Sequence, residues 1–365
     1  MNNLCEQLLK KTDVIDGLKS ENFDIYFGEQ LSLCGTGLSH VLGIKIHLWV
    51  SSTPLMDYMS WLLAAPMPLS YVPTVAEIEL SNQLTYYERT QNILAHLLIN
   101  YQFSSSNAET TAIFRNFYGP KFPSVEEIAR ESPLTFVMTD EFVDSPRPTL
   151  HNIVHIGGLG LEENNQITEE PFKSELSKGQ TGVIFISLGS NVATTYLPYE
   201  FKKNFIDALK SLPEYHFIMK IEKDDNEIPE FCKGIPNIYL TYWAPQTSIL
   251  SNPRVLAFVT HGGYNSMLEV AKFGVPVLVL PFFGDQFRNG RVSERNGWGK
   301  VFNKVKLLHG SEEFLEAIKD VVIDESFKKN AKRTSKLIQT KPFSAAERLS
   351  CKSKGESYLL LFIIT

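Results

Sequence analysis

A chain of 365 residues is long enough for two domains that each bury a core. Its 43% hydrophobic and 12% aromatic content excludes a disordered polypeptide, and a net charge of −6 without Lys/Arg runs interleaved with aromatics excludes the electrostatic footprint of a nucleic-acid binder. Cys5, Cys34, Cys232 and Cys351 show no Cys-x-x-Cys spacing, so neither a zinc site nor a disulfide framework is expected.

In chain order, MNNLCEQLLKKTDVIDGLKSE is charged and periodic at helical spacing, without the apolar stretch of a signal peptide. FDIYFGEQ (23–30) reads as a strand, and a glycine-rich turn with a short helix leads to a second strand in VLGIKIHLWVS (41–51). TYYERTQNILAHLLINYQF (85–103) spaces apolar residues three and four apart, which predicts an amphipathic helix. LTFVMTDEF and NIVHIGGL follow as strands. His151 and His155 stand four apart, a metal-ligand spacing only on a helix. HNIVHIGG alternates into glycines like a strand end, so structural histidines are expected. GLEENNQITEEPFKSELSKGQTG (160–182) is acidic and glycine-punctuated, the mark of an interdomain linker with a short helix.

The alternation then restarts. GVIFISLGS, YHFIMKI, NIYLTYW and RVLAFVTHGG read as strands, FKKNFIDALKSL as a helix, and YNSMLEVAKFG as a helix stopped by Gly274; VPVLVLPFF is the final buried strand expected. KKNAKRTSK (328–336) reads as the solvated face of a helix. YLLLFIIT at the end is far short of the roughly 20 residues that span a bilayer, so as written the chain reads as soluble. Alternating strands and helices predict parallel sheets covered on both faces, and hence two Rossmann-like α/β domains facing across a cleft.

Open parallel sheets bind ligands at the carboxyl ends of their strands, where helix N-termini offer free N–H groups and positive potential. In THGGYNSMLEV, His261 is followed by Gly262 and Gly263, which let backbone approach an anion, and then by a helix. Asn265 and Ser266 at its start can reach a phosphate, while Glu269 is a turn deeper, placed to accept from ribose hydroxyls. Trp243 in YWAPQ offers a stacking platform for a base, and Asp285 and Gln286 in PFFGDQ suit sugar hydroxyls. Taken singly, a Trp after a strand is usually core, a Gly-Gly pair a turn, and Asp-Gln a solvated loop; together, at strand ends in sequence, they make a nucleotide-sugar site.

Residues 243–286, WAPQTSILSNPRVLAFVTHGGYNSMLEVAKFGVPVLVLPFFGDQ, resemble the signature box of the UDP-glycosyltransferases. The resemblance extends to VIFISLGS, to FDIYFGEQLSLCGTGLSHVLGI, to LSYVP and to DEFVDSPRPTLHNIVHIGGL, and is greatest to the animal enzymes that transfer glucose or glucuronic acid to small lipophilic acceptors. It implies a GT-B arrangement: a first domain over 1–160 that is N-terminally truncated and faces the acceptor, a linker over 161–182, a UDP-sugar domain over 183–340, and a divergent tail over 341–365. It further implies that Trp243 stacks on uracil, that Gln246 and Glu269 hold the ribose, and that Ser190, His261, Gly263, Asn265 and Ser266 meet the diphosphate. Asp285 and Gln286 would bind the sugar. Lys220 stands where animal relatives carry Arg, keeping the charge without the planar fork.

The reaction so implied is an inverting displacement with UDP-sugar as co-substrate and no cofactor. No Asp-x-Asp metal motif occurs, so no metal is expected, and stabilisation of the leaving diphosphate falls to the helix N-terminus and neutral donors. Glu29 matches the carboxylate that orients the family's base histidine, but that histidine has no counterpart here, and neither His40, on the turn-helix segment, nor His47, inside a strand, is placed to replace it. The sequence therefore reads as starting downstream of the signal peptide and base strand, and as lacking the membrane anchor by which relatives sit in the endoplasmic reticulum with a luminal catalytic domain. The alternative is an inactive UDP-sugar-binding or partner-binding variant. Homo- or hetero-oligomers with related chains stay open, as do the acceptor and the choice of sugar. A dehydrogenase is disfavoured because GTGLSH puts His40 where the dinucleotide fingerprint needs its third glycine.

Overall fold

Strands alternate with helices along the chain, and every strand pairing is parallel. A computed structural model describes residues 2–29, 31–81, 83–161 and 169–350. Most of the acidic stretch of the expected linker and the apolar end of the expected tail thus lie outside the described residues.

The first sheet holds β1 (Ile25–Glu29), β2 (Ile46–Ser51), β3 (Thr135–Val137) and β4 (Ile153–His155) in that order. The second holds β5 (Gly182–Ser187), β6 (Tyr215–Lys220), β7 (Ile238–Thr241), β8 (Val255–Thr260), β9 (Val277–Val279) and β10 (Gly299–Val301). Its order is β10-β9-β8-β5-β6-β7, so the chain winds outward from β5, returns to place β8 against the other edge of β5, and winds the opposite way. This is the doubly wound Rossmann order, whose reversal between β5 and β8 opens a crevice at their carboxyl ends.

Burial explains the near-continuous apolar strands. Phe185 and Phe258 stack on one face of the second sheet, beneath Met267 and Val270, while Ile184, Phe217 and Val259 pack under Phe205 and Phe314 on the other. The first sheet is likewise covered on both faces, by the clusters around Trp49 and around Phe136.

Four expectations change. Cys5, on the helix Asn2–Leu9, and Cys34, opening the helix Cys34–Val41, form a disulfide with their Cα atoms 5.8 Å apart. The pairing comes from tertiary packing across 29 residues, which short-spacing rules do not see. The helix predicted over 85–103 runs from Tyr86 to Tyr118, started by a Thr85/Glu88 capping box. Its amphipathicity is inverted: Asn92, His96, Asn107, Thr110 and Thr111 face inward, while Leu94, Leu97, Leu98 and Tyr101 are exposed. The inward groups have partners, as Asn92 accepts from Thr74 N and His96 pairs with buried Asp57 at 2.7 Å. Finally, β9 is not the last strand, because GKV adds β10, a strand of three residues too short to carry a period. Among the described residues no helix is long and apolar enough to cross a membrane.

Candidate nucleotide-sugar site

The carboxyl ends of β5 and β8 meet at the reversal, and the loops leaving them are glycine-built. Gly189, after β5, has φ +79°, and a Cβ there would lie 2.5 Å from the His261 ring. A Cβ at Gly263 would lie 2.4 Å from the same imidazole. Side chains are thus excluded on both sides of His261, leaving its ring wedged between two backbone loops. Burial pushes its pKa down to about 4, with nearby Lys220 acting in the same direction, so the imidazole is neutral at pH 7. Lys220, at the end of β6, donates to Gly189 O and pairs with Glu222, each at 2.9 Å, and so ties the β5 loop to β6.

The helix Tyr264–Phe273 begins directly after Gly263. Met267, Leu268, Val270 and Ala271 bury its sheet-facing side, and Gly274 ends it at φ +68°, its N–H donating to Val270 O. This seating aims the first turn, with its free N–H groups, at the crevice. Asn265 is exposed there. Ser266 is buried and accepts from Gln246 Nε2 at 3.0 Å. The same Nε2 donates to Glu269 Oε2 at 2.6 Å. Burial raises the Glu269 pKa, and the hydrogen bond from Gln246 opposes that shift.

Trp243 lies just beyond β7 and is 74% exposed, although its backbone is fixed by Thr241, whose hydroxyl donates to Trp243 O at 2.7 Å. A large indole held at the surface on a pinned backbone is the reverse of a core tryptophan. Ser190, on the β5 loop, is exposed.

Beyond β9, Asp285 directly precedes the helix Gln286–Arg295, without a side-chain cap hydrogen bond to it. Burial raises its pKa, and Asn289 donates to its Oδ2 at 2.8 Å. Gln286 is buried, and its Oε1 accepts from Phe282 N and Phe283 N, so that oxygen closes the loop and only its amide NH2 remains for a ligand. Asn289 was not singled out from the sequence. It also donates to Gly262 O at 2.9 Å and so joins the glycine loop to Asp285. Its i, i+4 spacing from Asp285 was the available signal.

Glu29 stands apart, at the end of β1, where it accepts from Ser52 N at 3.0 Å. His47 is buried between Tyr26 and Trp49, with its pKa pushed to about 4 by desolvation. His40 packs edge-on against Phe122, and His155 ends β4 with Nδ1 2.6 Å from Thr139 Oγ1. The structure thus joins Gln246, Ser266 and Glu269 in one hydrogen-bonded set, Gly262, Asp285 and Asn289 in another, and sets Gly189 and Lys220 near His261, while Glu29 lies on the other sheet.

Residues 1–349 match the family model described as UDP-glucoronosyl and UDP-glucosyl transferase. The chain is 40% identical over 347 residues to "Putative UDP-glucuronosyltransferase ugt-47" of Caenorhabditis briggsae, covering 95% of this chain and 64% of that protein. It is 31% identical over 348 residues to UDP-glucuronosyltransferase 3A1 of Bos taurus, covering 94% and 64%. It therefore spans a little under two thirds of the length of these relatives. A solved structure titled as the glycotransferase of kitacinnamycin superposes with a TM-score of 0.65 at 18% identity, over 94% of this chain and 78% of that one. At that identity it shows the shared fold, a GT-B glycosyltransferase architecture.

Proposed function

Because the chain belongs to the UDP-glucoronosyl and UDP-glucosyl transferase family, we propose that it binds a UDP-sugar at the β5/β8 reversal and transfers glucose or glucuronic acid to a hydroxyl of a small lipophilic acceptor. The observation that carries this reading is the Gln246–Glu269–Ser266 hydrogen-bonded set, with Trp243 exposed three residues before Gln246. A pair of ribose hydroxyls donates to Glu269 in place of the Gln246 amide, while uracil stacks on the indole. Gln246, freed by the exchange, keeps its amide for the ribose.

The diphosphate takes Ser190, Asn265, Ser266, Gly263 N–H and neutral His261, whose ring donates without competing for a proton. Lys220 supplies the nearby positive charge. Asp285 and the Gln286 amide receive the sugar. Displacement at the anomeric carbon by the acceptor oxygen inverts it, sends the bonding pair to UDP and releases the hydroxyl proton to a general base or to solvent water. The charge developing on the diphosphate oxygen then falls at the amino end of the helix Tyr264–Phe273. The proposal assigns no metal and no cofactor. Glu29 is placed on the acceptor side, as the carboxylate partner of a base histidine that has no counterpart among these residues. The Cys5–Cys34 disulfide supports an oxidising, luminal setting of the endoplasmic reticulum.

A second reading, donor binding without transfer, is favoured by one observation: His40 and His47 are held against Phe122 and between Tyr26 and Trp49, respectively. Incubating the purified chain with UDP-glucose or UDP-glucuronic acid and a phenolic acceptor separates the two. Glycoside formation supports transfer, donor binding without glycoside supports the second reading, and failure to bind either donor rejects both.

A further inference from the structure

Arg288 lies on the helix Gln286–Arg295, three residues past Asp285, and is 2% exposed. Its acceptors Asp144 and Pro73 belong to the other half of the molecule. Its Nη2 meets Asp144 Oδ1 at 2.5 Å, in the loop after β3, and its Nε donates to Pro73 O at 3.3 Å. The segment around Pro73 makes two more such crossings. Glu77 Oε1 accepts from Gly284 N at 3.2 Å, and Glu79 pairs with Arg291 at 2.8 Å. Gly284 has φ +62° and directly precedes Asp285, so this contact falls on the turn that aims the carboxylate.

Burying an arginine with a carboxylate yields little net stability, because desolvation offsets most of the attraction; such pairs are better explained by the register they impose. Here that register is the placement of one helix. The same first turns hold Gln286, which closes the loop through Phe282 N and Phe283 N, and Asn289, which holds Asp285 and Gly262.

We infer that Arg288 is a positioning residue that sets the sugar-end carboxylate Asp285 from the first domain, so that recognition of the donor sugar, but not of UDP, depends on how that domain is seated. The inference rests on the proposed role of Asp285. Lysine cannot reproduce the two-acceptor fork, so even the conservative change uncouples the helix.

The test is calorimetric titration of the full chain and of Arg288→Lys, Asp144→Asn, Glu77→Gln and Asp285→Ala with UDP, UDP-glucose and UDP-glucuronic acid. Arg288→Lys and Asp144→Asn are expected to weaken the better-bound UDP-sugar about tenfold while UDP changes less than about twofold. A purely structural loss lowers both ligands together, so the ratio is the deciding readout. Glu77→Gln, at an exposed position, carries the same test with a smaller shift should the buried variants not fold. Equal losses for UDP and UDP-sugar, or an unchanged ratio in all three variants while Asp285→Ala alters it, overturn the inference. An unchanged ratio in Asp285→Ala removes the sugar-end assignment and the inference with it.

Discussion

The two sheets differ in how far they bury themselves. In the second, six strands are covered on both faces, and its central residues Val183, Ile184, Phe185 and Phe258 are fully buried. In the first, the edge strand β1 leaves Ile25 and Phe27 43% and 51% exposed, and the long helix Tyr86–Tyr118 turns Leu94, Leu97, Leu98 and Tyr101 outward. The groups proposed for recognition sit on loops and helices that this buried sheet supports, some of them buried, as His261 and Ser266 are, and others exposed, as Trp243 is. A rigid, close-packed sheet can hold glycine loops against an imidazole at van der Waals distance, which an exposed edge strand such as β1 does not offer.

Breaking that comparison is easiest in the cores. Phe217→Ala, in the fully buried centre of the second sheet, is expected to cost about 3–5 kcal/mol, whereas Phe27→Ala on β1 costs less than about 1 kcal/mol. Urea unfolding measures both, and similar values would erase the asymmetry. Next in size is the disulfide, the cross-link of the first half. Cys5→Ser is expected to lower stability by about 2–4 kcal/mol through the freed chain entropy, read as a reduced urea midpoint that matches wild type in strong reductant.

The buried histidines sharpen the comparison, with His47 in the first sheet and His261 at the second. Burial holds both near 4 instead of 6.5, so between those values the unfolded chain binds protons that the folded chain refuses. Stability from this source is complete above pH 6.5 and is lost as pH falls towards 4, on the order of 3 kcal/mol per ring. Denaturant midpoints measured over that window test the sign, and His47→Phe is expected to reduce the slope without abolishing it, because His261, His155 and His216 are shifted the same way. Stability that rises on acidification would contradict the burial assignment.

Legibility followed the same division. The strands of the second sheet announce themselves because burial on both faces forces continuous apolar runs, and Trp243, His261, Glu269 and Asp285 were readable because each follows such a run. The first half hid more. Asn92 and His96 look like the polar face of a surface helix, yet they face inward because Thr74 and Asp57 satisfy them there. Arg288 reads as a surface arginine, since its partners Asp144 and Pro73 are more than a hundred residues away in sequence. Asn289 was missed although it shares a helix face with Asp285, because local spacing marks a neighbour without saying what both touch. The Cys5–Cys34 link needed the tertiary fold. Apart from Asn289, what escaped was satisfied by distant partners; what was legible was fixed by nearby periodicity.

The central claim is that the second domain alone holds UDP, through Trp243 and Glu269, with Glu29 serving the other side. Titrating UDP into the folded wild type, Trp243→Ala, Glu269→Ala and Glu29→Ala tests it most directly. Binding should weaken by about 1–3 kcal/mol for Trp243→Ala and by a comparable amount for Glu269→Ala, with Glu29→Ala unchanged. Absence of UDP binding by the folded wild type, or a loss in Glu29→Ala equal to that in Trp243→Ala, would contradict it.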